Sequence, residues 1–130
     1  MKPKSIWANL SVANLQRTTQ FYTELGFKPN GESAELTSFC VGDNDFVLHF
    51  FLKERFDVEL NGMAAGSKPG SEVIFSLSAT SKEEVDQCAE EVKQAGGTTF
   101  FGPGKCGEGY NFGFADPDGH KFNVLYWPGM

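Results

Sequence analysis

The chain holds two histidines, and they stand in different surroundings. His49 lies inside "FVLHFFL", among aromatic and apolar residues, while His120 follows a turn in "DPDGHKFNVLYW". An imidazole near neutral pH can act as a general acid or base or ligate a metal, so each is weighed for both roles. A lone histidine between phenylalanines is more often a satisfied core residue, and one that follows a tight turn more often braces it. Glu72, opening "EVIFSLSA", is a carboxylate that a strand could aim inward toward a cation. Trp7 and Trp127 offer indole faces for stacking, and Asn9 and Asn123 offer amides that orient a bound molecule.

Strands and helices must position these groups. "SIWANLSV" alternates, with Ile6, Ala8, Leu10 and Val12 on one side and Trp7, Asn9 and Ser11 on the other. In "NLQRTTQFYTELGF", Asn14 is a good N-cap and Gly26 is placed to end the helix. Three extended segments follow: one near Lys28 to Asn30, then "AELTSFCVG" and "DFVLHFFLK". Residues 55–71 lose periodicity and gather glycine, serine and proline, the composition of a connector. The order then repeats. "EVIFSLSA" is a strand, and "SKEEVDQCAEEVKQAGG" is a helix with a Ser81–Glu84 capping box and a Val85, Cys88, Val92, Ala95 stripe. "TTFF", "YNFGFA" and "HKFNVLYW" close the unit, and the glycine-rich run between the first two reads as a mobile loop. The glycines at 107, 109 and 113 permit a bulge that leaves the facing of Tyr110, Phe112 and Phe114 open.

The expected organisation is one domain of two modules, 1–54 and 72–130, joined by the 55–71 connector. Neither module could bury a sheet face alone. Aspartate, proline and glycine in "DPDG" are type I turn chemistry. A net charge of -6 argues against nucleic acid and anionic membrane as partners. Three cysteines without a CxxC pair suit a reducing, cytoplasmic setting, and no run approaches a membrane span.

This pair of βαβββ units resembles the vicinal oxygen chelate superfamily, which includes glyoxalase I, bleomycin-resistance proteins, fosfomycin-resistance transferases and extradiol dioxygenases. The resemblance rests on "NLSVANLQRTTQFYTELGF", "EVIFSLSATSKEEVDQCAEEVKQAGG" and "FADPDGHKFNVLYW". It implies an α+β fold, one curled mixed sheet around a cup with helices on the outer face, and a homodimer. In metal-dependent members the cup holds a divalent ion on the first and last strands of each module. Carried over residue by residue, those positions are Trp7, His49, Glu72 and Asn123. Indole cannot ligate a metal, and the amide of Asn123 stands where those relatives have glutamate. Two competent ligands fall short of the usual three or four.

The sequence therefore points to a metal-free cup binding a small aromatic or cationic molecule through Trp7, Asn9, His49, Glu72, Asn123 and Trp127. No cofactor is expected in that reading. Two alternatives stay open. One is a divalent-metal lyase or isomerase of the glyoxalase I type, or a metal-free relative using Glu72 or His49 as base. The other is a structural dimer whose cup is filled by its own phenylalanines.

Overall fold

The computed structural model describes residues 1–60 and 73–129. The chain divides into two compact units, Met1–Ser67 and Lys68–Met130. The first runs β1 (Trp7–Val12), α1 (Leu15–Glu24), β2 (Lys28–Glu32), β3 (Leu36–Val41), β4 (Phe46–Leu52) and α2 (Lys53–Leu60). The second runs β5 (Ile74–Ser78), α3 (Lys82–Ala95), β6 (Thr98–Cys106), β7 (Gly109–Ala115) and β8 (Lys121–Tyr126). Each βαβββ unit makes its own four-stranded mixed sheet, ordered β1-β4-β3-β2 and β5-β8-β7-β6, in an α+β fold. The opening strand of each unit lies parallel to the closing one, and the other neighbours are antiparallel.

Local chemistry sets the helix ends. Asn14 accepts the Arg17 N–H at 3.0 Å at the start of α1. At its end Gly26 takes φ 85, the Gly26 N–H reaches Thr23 O and the Phe27 N–H reaches Tyr22 O. These are the two bonds of a Schellman close, and the Tyr22 and Phe27 rings meet over it at 5.4 Å. Gly96 and Gly97 close α3 in the same way, onto Lys93 O and Val92 O.

The capping box of α3 differs from the sequence expectation. Ser81 Oγ accepts the Glu84 N–H at 3.1 Å, but the Glu84 carboxylate turns to Thr80 and takes both its backbone N–H and its hydroxyl. Those two hydrogen bonds, the backbone one first, hold the Glu84 carboxyl below its ordinary range. A depressed folded value stabilises above the unfolded carboxylate range, near ~4.3, and the benefit is lost as pH falls through the folded value. Glu84→Gln is expected to cost up to ~1 kcal/mol at neutral pH. Paired melting curves taken from neutral to strongly acid pH should show the gap close.

Aromatic rings fill the space between each helix and its sheet. In the first unit Tyr22 stacks on Phe50 at 4.6 Å and packs beside Phe21 and Phe39. In the second, Phe114 lies parallel to Phe122 at 5.0 Å, with Phe112 and Phe75 alongside and Val85 and Val92 buried above them. The facing left open by the glycines is thereby fixed: Phe112 and Phe114 are buried, and Tyr110 donates to Asp86 of α3 at 2.7 Å. Cys88 is only half-buried at the margin of the Val85–Val92 stripe.

Two expectations need correction. Residues 61–71 of the connector assigned to 55–71 lie outside the described residues, and the first part of that connector is helix α2, which carries the i, i+4 ion pair Lys53–Asp57 at 2.7 Å. Its low amphipathicity hid it, since Val58 faces outward at 70% exposure. The glycine-rich run 102–109 is likewise no mobile loop. It continues β6 through two register shifts and pairs Cys106 with Gly109 across a two-residue turn. Gly107, at φ 60, holds the first central position of that turn, where type II′ geometry calls for glycine. Among the described residues no helix is long and apolar enough to cross a membrane.

Candidate ligand site

Strand register decides which side chains share a face. In the first sheet Asn9 of β1 pairs with His49 of β4, and His49 pairs with Ser38 of β3. One step along, Trp7 pairs with Val47 and Val47 with Cys40. Phe39, Leu48 and Phe50, at alternate positions, are buried against α1. Trp7, Asn9 and His49 therefore lie together on the face away from the helix, which the alternation of the first strand predicted for Trp7 and Asn9. Trp7 is 52% exposed, so it is not core.

That face carries a hydrogen-bonded row. Asn30 Nδ2 donates to Ser38 Oγ at 3.1 Å, and Ser38 Oγ meets His49 Nδ1 at 2.8 Å. Phe51 sets its ring edge-on to the His49 ring at 6.0 Å. A cleft of about 580 Å³ opens over this end of the sheet, with Lys4, Trp7, Asn30, Asp45, Val47 and His49 in its walls. Asn9 sits beside His49 in the register and does not itself line the cleft. The cleft is open to solvent, which counts against a first-unit face packed shut by its own rings.

The second sheet has the same row with different chemistry. Ser76, Asn123, Gly113 and Phe101 follow one another across β5, β8, β7 and β6. Asn123 thus takes the place of His49, and Gly113 the place of Ser38. A Cβ on Gly113 would lie 2.2 Å from the Phe101 ring and 2.8 Å from that of Phe100, so the two rings occupy the space over it. Asn123 Oδ1 is buried without a hydrogen bond among the described residues. Lys121 Nζ lies 6.0 Å above the Phe100 ring.

The register also revises one correspondence. Trp7 stands two residues before the partner of His49, and two residues before the partner of Asn123 stands Ile74. The counterpart of Trp7 is therefore Ile74, not Glu72, because the linkers after the two strands differ in length. Glu72 itself lies outside the described residues. Trp127 is half-committed to structure: its ring covers Gly107 and Gly109, where a Cβ on Gly109 would lie 2.5 Å away, and the residue keeps 39% exposure.

His120 answers to the turn. Asp116 Oδ1 accepts the N–H groups of Asp118 and His120 at 3.0 and 2.8 Å, and its Oδ2 meets His120 Nδ1 at 2.7 Å. The Asp116 side chain is 0% exposed and that of His120 8%. A sequence reader sees the turn in "DPDG" but not this clamp, because the Asp116–His120 contact forms only once the turn is made.

The ligand set implied by the family pattern does not fit a divalent metal here. Trp7 offers only an N–H donor, Asn123 a neutral amide, and Ile74 nothing. Nδ1 of His49 is engaged by Ser38. Among the described residues no three His, Cys, Asp or Glu side chains gather at one point.

Residues 5–124 match the model of the Glyoxalase/Bleomycin resistance protein/Dioxygenase superfamily, and the chain belongs to that family. Among solved structures it is similar to a hypothetical protein from S. aureus, at 32% identity over 97% of this chain and 95% of that one, TM-score 0.86. A glyoxalase-related enzyme from Fulvimarina pelagi matches at 25% identity over 97% and 90% of the two chains, TM-score 0.84. A genomically encoded fosfomycin resistance protein from Listeria monocytogenes shares the fold at 19% identity, with 100% and 95% covered and TM-score 0.72. No curated protein matches the chain.

Proposed function

We propose that this member of the superfamily binds a small planar aromatic molecule without a metal. The observation that carries the reading is the first-unit cleft, where the half-exposed Trp7 ring and the anchored His49 stand over one face of the sheet. An indole face supplies stacking area at little cost in side-chain entropy, and fixed polar groups set orientation. Asn9, Glu72, Asn123 and Trp127 remain part of the proposed binding set. A glyoxalase-type lyase finds less support, because Trp7 and Asn123 stand at two of its ligand positions and supply neither an imidazole nor a carboxylate.

The reading includes a homodimer in the cytoplasm with reduced cysteines, and no nucleic-acid partner. The edge strand β2, exposed along its whole length, is consistent with an assembly that protects it. A thermal-shift screen of aromatic acids, ketones and amines against the full chain tests the function, with Trp7→Ala as the control. Because Trp7 is half-exposed, the variant should melt within about 1 kcal/mol of the parent while weakening a bound aromatic roughly tenfold or more. A hit that ignores Trp7→Ala would place binding elsewhere.

A further inference from the structure

The row Asn30–Ser38–His49 fixes more than a position. Ser38 is 3% exposed, and its Oγ touches two partners: Asn30 Nδ2, which can only donate, and His49 Nδ1. With the Asn30 amide turned to donate, two proton arrangements satisfy the distances. If Nδ1 carried a proton, Ser38 Oγ would accept twice, and its own proton would find no acceptor among the described residues. Native interiors avoid a buried donor in that state. If instead Ser38 donates to Nδ1, every group is used once: Asn30 gives to Ser38, Ser38 gives to His49, and the imidazole proton lies on Nε2.

We infer that Ser38 sets His49 as the neutral Nε2–H tautomer and thereby makes it a fixed hydrogen-bond donor toward the cleft. The ligand class follows, and this step rests on the proposed aromatic-binding role of the cleft. The bound molecule is a planar aromatic carrying a carbonyl or carboxylate oxygen, its ring against Trp7 and its oxygen on His49 Nε2. Lys4 in the same wall favours an acceptor. The Asp45 carboxylate, which could otherwise welcome a cation, has Lys28 Nζ at 3.7 Å. A ligand with only donors would meet a donor. Ser38 and Asn30 are positioning residues, acting through His49. The second unit, with Gly113 in the place of Ser38, has no such relay, so the specificity belongs to the first.

The test uses the full chain, nitrogen-labelled, and long-range proton–nitrogen correlation spectra that distinguish the imidazole tautomers. His49 is expected as Nε2–H in the parent and in Ser38→Thr, and as a tautomer mixture in Ser38→Ala. The probes are 2-acetylnaphthalene, its oxygen-free analogue 2-ethylnaphthalene, and 2-naphthylmethylammonium. The ketone should bind about tenfold more tightly than the hydrocarbon, the worth of one hydrogen bond, and should shift the His49 Nε2 signal. That preference should shrink about twofold in Ser38→Ala, by the fraction of Nε2–H lost, and survive intact in Ser38→Thr. An Nδ1–H tautomer in the parent overturns the inference. So does equal binding of ketone and hydrocarbon, or tighter binding of the ammonium; both would leave the aromatic-binding role standing. If no probe perturbs Trp7 or His49, the binding role fails, and the ligand class falls with it.

Discussion

Tyr22→Ala is expected to destabilise the protein by about 3–5 kcal/mol, the range for emptying a large aromatic from a packed core. Tyr22 is 0% exposed, and four rings meet it: Phe50 at 4.6 Å, Phe21 at 5.0 Å, Phe27 at 5.4 Å and Phe39 at 5.6 Å. It joins the C-terminal turn of α1 to the two strands that carry His49 and Ser38. Such a site cannot collapse around a methyl group without moving the helix, so most of the cavity cost persists. The measurement is urea unfolding, with Val58→Ala as the exposed control, expected within ±0.5 kcal/mol of the parent. A loss below about 1 kcal/mol for Tyr22→Ala would mean that the ring cluster is not what holds the first sheet to its helix.

The second large effect is expected at Asp116. Replacing it with alanine strips partners from the N–H groups of Asp118 and His120 and from the buried His120 ring. Breaking a buried pair while leaving the partner in place costs about 3–5 kcal/mol. Asp116→Asn separates the parts, because one carbonyl oxygen can still accept from the two backbone amides. Its second arm now donates, so the His120 contact reverses direction and requires Nδ1 to accept, and a smaller loss of roughly 1–3 kcal/mol is expected. Equally large losses in the two variants would show that the His120 bond carries the whole effect. A comparably mild loss in both would show that the turn forms without the clamp.

Legibility in the sequence followed how local the determining physics was. The helix caps at Asn14 and Ser81, the closing glycines 26 and 96, and the Trp7–Asn9–Ser11 face are set within a few residues, and all could be read. Helix α2 could not, because its exposed apolar Val58 breaks the stripe on which the eye depends. The β6–β7 hairpin is masked in the sequence because its glycines carry a loop signal. They answer instead to contacts from distant residues: Trp127 over Gly109, Phe101 over Gly113. The Asn30–Ser38–His49 row joins three strands, and strand register alone brings it together. Its sequence trace was a serine at one strand's inward parity and a histidine at another's, a signal too common to select. The same holds for Ile74 replacing Glu72 as the counterpart of Trp7.

The central claim is a binding site that works without a metal, and metal content tests it most directly. The purified protein should be dialysed in turn against zinc, nickel, manganese and iron(II), washed free of unbound ion, and measured by elemental analysis. The account predicts no stoichiometric metal from any of the four. One ion retained per chain, and lost in both His49→Ala and Glu72→Ala, would contradict it and return the protein to the metal-dependent branch of its family.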